Sequence, residues 1–178
     1  MQHPVLLVAL VLAAAAPSAP PHRAAPSPVA DARALWTEVT GYITQAAEDV
    51  PEADYAFRPT PEVRTFGQLI AHLAGSQRVM CGAALGESGA REDDIEKTTT
   101  AKADLVAALK ASNEYCARAY AQSDADAVGV TKLFGREQTR LYALLMNATH
   151  DNEHYGNIVT YMRMKGMVPP SSRPRASR

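Results

Sequence analysis

Four stretches of this 178-residue chain repeat apolar residues at intervals of three and four, and none alternates them at every second position. Residues so spaced share one face of a helix, so the pattern predicts an all-α chain whose helices each bury one stripe. The first stretch covers 31–50, with Asp31 as N-cap, Leu35, Val39, Ile43 and Ala46 on the stripe, and Pro51 as the stop. The second covers 65–85, from Thr65 as cap to Gly86, and carries Phe66, Leu69, Leu73 and Met80. The third covers 100–122, with Leu105, Leu109, Ser112 and Cys116 on one face. The fourth covers 136–165, with Gly166 as its C-terminal punctuation and Pro169 and Pro170 beyond. No Asn-Gly or Asp-Gly turn marks a hairpin. The expected fold is a four-helix bundle over 31–168 with a disordered tail over 169–178. The linkers 51–64, 86–99 and 123–135 are longer than an up-and-down bundle needs, so at least one is expected to run the length of the bundle.

Such a chain has room for one hydrophobic core. Its formal net charge of -1 leaves no electrostatic footprint for nucleic acid. Val5 to Ala16 form an uncharged apolar run, followed by the Pro/Ala-rich PSAPPHRAAPSP. The run is short for a membrane span but has the length of a signal-peptide core, so residues 1–25 are read as a signal peptide or disordered N-terminus. No Lys or Arg precedes it, which leaves the α-amino group and His3 to supply positive charge. No cysteine follows it to carry a lipid. The expectation is a periplasmic or extracellular protein with no stable membrane span after processing.

The two cysteines bear on helix direction. Cys81 and Cys116 each fall 16 residues after the cap positions Thr65 and Thr100, about 24 Å along their helices. Parallel helices would set them at one level; antiparallel helices would separate them by roughly 18 Å, beyond disulfide reach. Export favours pairing. Two buried, unpaired thiols on apolar stripes are the alternative.

His3 and His22 belong to the N-terminal segment, which leaves the domain His72, His150 and His154. His150 and His154 stand four apart on one helix face, where two imidazoles can reach one ion. If the second and fourth helices are antiparallel, His72 comes to about 20 Å and the pair to about 24 Å from the shared end. Ala143, Asn147, His150, His154, Asn157 and Tyr161 share a face opposite Leu141, Leu145, Ala148 and Val159. That face reads as a pocket wall, with Asn147, Asn157 and Tyr161 placed to orient ligands or water. Asp151 and Glu153 lie at its flanks. HDNEH matches the H-x-x-E-H protease pattern, with Glu153 as general base, but no Asp or Glu follows His154 to serve as a further ligand.

The segments FRPTPEVRTFGQLIAHLAGS (57–76) and HDNEHYGNIVTYMRMKGMVPPSS (150–172) resemble the DinB superfamily of DinB/YfiT-like metal-dependent hydrolases. The resemblance spans roughly 31–170. It implies a four-helix bundle of up-down-down-up topology, with a crossover between helices two and three, and a divalent metal ion held by His72, His150 and His154. Parallel second and third helices agree with the pairing of Cys81 and Cys116. Asn157 stands where many members carry Gln. Some relatives are thiol transferases or mycothiol-dependent isomerases, a role that fits an exported chain poorly because such thiols are chiefly cytosolic.

Three neutral imidazoles leave coordination positions open, as catalytic zinc sites do. All-imidazole ligation favours zinc or nickel. The leading expectation is metal-assisted hydrolysis or transfer on a small molecule. The alternative is a non-catalytic metal- or ligand-binding bundle, and the third reading is a structural bundle with solvated histidines. A homodimer is compatible with the sequence. No general base stands out among Glu153, Asp151, Tyr161 and solvent.

Overall fold

In the computed structural model, which describes residues 26–174, helix α1 runs Pro28–Asp49. Its N-cap is Ser27, whose side chain accepts from the Ala30 N–H, and Pro28 takes the first helical position, where its missing N–H costs nothing. Asp31 therefore lies in the first turn and is not the cap. Asp124 closes this end by accepting from both the Ser27 hydroxyl and the Val29 N–H. The apolar run over 5–16 lies outside the described residues.

Helix α2 (Phe66–Leu85) starts at a capping box: Thr65 accepts from the Gln68 N–H while the Gln68 side chain accepts from the Thr65 N–H. It ends at Gly86, whose φ of 79° is the left-handed cap that glycine adopts without steric cost. The 86–99 linker carries a five-residue helix α3 (Asp94–Thr98). Helix α4 (Lys102–Ala119) follows, then the single-turn α5 (Asp124–Ala127).

The chain departs from an all-helical reading at 130–139. Strands β1 (Val130–Leu133) and β2 (Arg136–Thr139) pair antiparallel around Phe134 and Gly135, whose φ values are 48° and 81°. Two consecutive positive φ angles fit a type I′ turn. Of β1 only Leu133 is buried and of β2 no residue is, so no apolar alternation marked the hairpin in the sequence. The last helix, α6 (Arg140–Met164), consequently begins at Arg140 with Thr139 as cap, four residues later than the helical pattern suggests. The tail also differs: a 3-10 turn at Pro170–Ser172 packs back onto α6 through the Tyr155 hydroxyl and Ser171, and Arg173 pairs with Asp49. Order thus extends past 169.

Helices α1, α2, α4 and α6 form a bundle with two adjoining buried clusters. One gathers Ile43, Ile70, Leu73, Leu105, Leu109 and Ile158. The other gathers Met80, Leu144 and Trp36, whose indole stacks on Tyr120 at 4.5 Å between ring centroids. A disulfide joins Cys81 to Cys116 in this second cluster, with Cα atoms 5.2 Å apart. Near the other end of the same helices, Gly67 of α2 approaches Leu105 of α4. Among the described residues, no helix is long and apolar enough to cross a membrane.

Candidate metal centre

His72 projects from the second turn of α2, a helix buried along most of its surface, and is itself 7% exposed. His150 and His154 project from the middle of α6 and are half-buried. The Nε2 atom of His150 lies 3.2 Å from that of His72 and 3.1 Å from that of His154. One ligand nitrogen from each ring lies within 4.8 Å of the other two. Nitrogens about 2.0–2.1 Å from one ion at tetrahedral angles stand about 3.3 Å apart, so the donor set fits a divalent cation.

The outer ring nitrogens have partners of their own. Nδ1 of His150 lies 3.5 Å from the Ser76 hydroxyl, which in turn donates to the His72 carbonyl oxygen. Nδ1 of His154 lies 3.3 Å from the Asn157 side-chain amide. The Ser76 hydroxyl, already donating to His72, is left to accept from Nδ1–H of His150, which selects the tautomer whose Nε2 lone pair faces inward. The Asn157 atom facing His154 is the amide nitrogen, so metal binding through Nε2 of His154 requires the amide to turn its oxygen to Nδ1–H. Burial, the nearby Arg64 guanidinium and the companion imidazoles hold His72 down at about 3, and burial, His154 and Arg64 hold His150 at about 4. His154 is lowered as well, chiefly by burial, with Glu153 opposing. Each shift favours the neutral imidazole, the state a metal requires.

The remaining residues singled out in the sequence divide. Asn157 sits at the site. Tyr161 lines a groove with His154 and Asn157, and its hydroxyl donates not to an imidazole but to the Arg64 carbonyl oxygen at 2.7 Å. Asn147 donates to the Tyr120 hydroxyl and to Asp151, forming a buried polar pair rather than a contact to the histidines. Asp151, expected at the flank of the face, is fully buried, and burial raises its carboxyl well above the usual range. Glu153 is exposed. On the histidine face Ala143, Asn147 and Tyr161 are buried and Asn157 is exposed, while on the opposite face Ala148 is buried and Leu145 is 41% exposed.

Sequence reasoning missed Arg64 and Glu96. Arg64 precedes the α2 cap, Glu96 lies on α3, and the Arg64 Nε stands 3.2 Å from both Glu96 oxygens. Neither lies in a motif, and their meeting depends on how the 86–99 segment folds over α2. Ser76 was detectable as the residue one turn after His72.

A helical bundle with three convergent histidines defines the class. The chain belongs to the DinB superfamily, whose family model matches residues 19–158. Solved structures share the fold. A DinB-like protein from Bacillus cereus matches with a TM-score of 0.68 at 18% identity, covering 78% of this chain and 93% of that one. YfiT from Bacillus subtilis, described as a probable metal-dependent hydrolase with an unusual four-helix bundle topology, matches at 0.63 and 16%, covering 84% and 94%. A mycothiol-dependent maleylpyruvate isomerase matches at 0.60 and 18%, covering 74% of this chain and 59% of that one. No curated protein matches the chain in sequence.

Proposed function

We propose that this chain is a metal-dependent hydrolase or transferase acting on a small molecule, with one divalent ion held by His72, His150 and His154. The observation that carries the reading is the convergence of three neutral Nε2 atoms from two helices. Zinc or nickel suits an all-imidazole set. A bound ion would supply Lewis acidity, lowering the pKa of water and polarising a carbonyl or phosphoryl oxygen. The chain's own part is orientation: Ser76 and Asn157 hold the rings of His150 and His154, and the packed face of α2 keeps His72 out of bulk water. The description of YfiT supports hydrolysis, while the isomerase supports a wider range of chemistry on the same bundle.

Two further readings belong to the proposal. The helix order is up-down-down-up: Gly67 with Leu105 and Cys81 with Cys116 favour parallel α2 and α4, and Tyr161 with Arg64 and His150 with His72 favour antiparallel α2 and α6. Export to the periplasm or the extracellular space is supported by the apolar run at 5–16 and by the Cys81–Cys116 disulfide.

The test is metal analysis of tag-free protein, followed by turnover assays on ester, amide, phosphoester and thiol substrates. The expected result is close to one ion per chain and turnover that disappears with chelation. Metal retained without turnover would favour a binding module. Metal content unchanged in His150→Ala/His154→Ala would sink the site.

A further inference from the structure

Two grooves open beside the histidines. One is lined by His154, Asn157 and Tyr161, the other by His72 and Phe134, and Arg64 and Glu96 line both. The Arg64–Glu96 ion pair therefore stands between the two approaches to the centre. Its two members are mounted differently. Arg64 is fixed through its backbone, since its carbonyl accepts from Tyr161 and the α2 capping box follows directly. Glu96 belongs to the short α3, and its carboxylate accepts from Arg64 alone among the described residues. Only Nε of the guanidinium donates to it; the two terminal nitrogens donate to no described residue. The Arg64 side chain is 41% exposed and that of Glu96 18%.

A guanidinium fork suits a planar carboxylate, and this one already holds a carboxylate from a surface segment through Nε alone. We infer that Arg64 is the substrate-recognising residue of the centre, that its ligand is a carboxylate borne by the substrate, and that Glu96 holds that position until the substrate displaces it. The substrate class narrows to small carboxylic acids whose reacting group lies near the carboxylate, within reach of the three histidines. A neutral substrate would leave Glu96 in place and both grooves partitioned.

This inference rests on the metal-centre reading, and the test separates the two. Succinate is titrated calorimetrically into zinc-loaded wild type, Glu96→Gln, Arg64→Lys and Arg64→Gln, with zinc content measured on the same samples. Removing the competing carboxylate in Glu96→Gln is expected to tighten succinate binding about tenfold. Arg64→Lys should weaken it several-fold and Arg64→Gln by at least about tenfold, the range of a lost charge-assisted pair. Zinc should stay near one per chain throughout. Succinate affinity indifferent to both positions in zinc-replete protein would overturn the inference and leave the metal centre standing. Absence of zinc from the wild type would overturn the metal-centre reading instead. Inorganic phosphate binding as tightly as succinate, with the same dependence on Arg64, would overturn the assignment to carboxylates. Should the Arg64 variants fail to fold, Glu96→Gln decides alone: unchanged affinity there removes the proposed competition.

Discussion

His72 of α2 and His150 of α6 bring their Nε2 atoms to 3.2 Å although 78 residues separate them in the chain. A site shared by two helices couples metal binding to the packing of those helices. A divalent ion that binds only the folded state stabilises it by about 2.7 kcal/mol at a hundred times its dissociation constant. Zinc added to chelator-treated protein should therefore raise the melting temperature. His150→Ala should abolish that rise while leaving the far-ultraviolet circular dichroism unchanged. An equal rise in wild type and variant would mean that zinc binds elsewhere.

Ser76 and Asn157 touch the outer nitrogens of His150 and His154 and make no use of their inner ones. Losing such a partner typically weakens metal binding by about 10- to 100-fold. Ser76→Ala and Asn157→Ala should each show that loss in competition with a chelator, at unchanged stoichiometry. Asn157→Gln should recover part of it, since the amide is kept. Full affinity in both alanine variants would show that packing alone aims the rings.

The pH dependence of the metal-free protein has a definite sign. His72 and His150 titrate near 3 and 4 in the folded chain, below the ordinary value of 6.5, because burial disfavours their cations. The unfolded chain thus binds more protons between about 4 and 6.5, and stability falls as pH is lowered through that window. Asp151 works the other way. Its raised carboxyl stays protonated in the fold, so its contribution is greatest at low pH and is lost as pH rises through its folded value. Denaturant melts in the presence of chelator should show stability declining from pH 7 toward 4. The decline should be shallower in His72→Gln and steeper in Asp151→Asn.

Much of this was legible because local chemistry and packing agree. The α2 boundaries were written in Thr65, Gln68 and Gly86, whose cap geometries are local. The i,i+4 spacing of His150 and His154 fixes their shared face whatever the tertiary context. The hairpin was illegible because its turn uses Phe134 at a positive φ, where Asn or Gly is the usual signal. The Arg64–Glu96 pair was hidden for a different reason: it joins residues 32 apart through a loop whose path no periodicity encodes. Asp151 was misjudged because a helical wheel gives direction but not depth, and α6 is buried over a wider arc than its histidine stripe.

The Cys81–Cys116 disulfide closes a loop of 35 residues between two helices. The chain-entropy relation puts its contribution near 3–4 kcal/mol. Cys81→Ala/Cys116→Ala should lose stability of that order in chemical denaturation and remain helical. Reduction should lower the melting temperature of wild type and leave the double variant unmoved. Identical melts with and without reductant in the wild type would exclude a bond that contributes to stability.

Gly75 fixes the distance between α2 and the segment carrying Glu96. A Cβ placed there would run into the backbone carbonyl of Glu92, which cannot rotate away as a side-chain tip would. In Gly75→Ala the 91–94 backbone must therefore lift from α2, and overpacking of this kind costs about 1–3 kcal/mol. The histidines lie on α2 and α6, outside the displaced segment, so zinc stoichiometry should hold. Glu96 lies on the same 86–99 segment, so its pairing with Arg64 should loosen. Hydrogen exchange should accelerate across 91–98 and stay unchanged over 150–158. Uniform acceleration over both segments would instead indicate that the substitution loosens the whole bundle and that Gly75 has no particular role in seating the 86–99 segment.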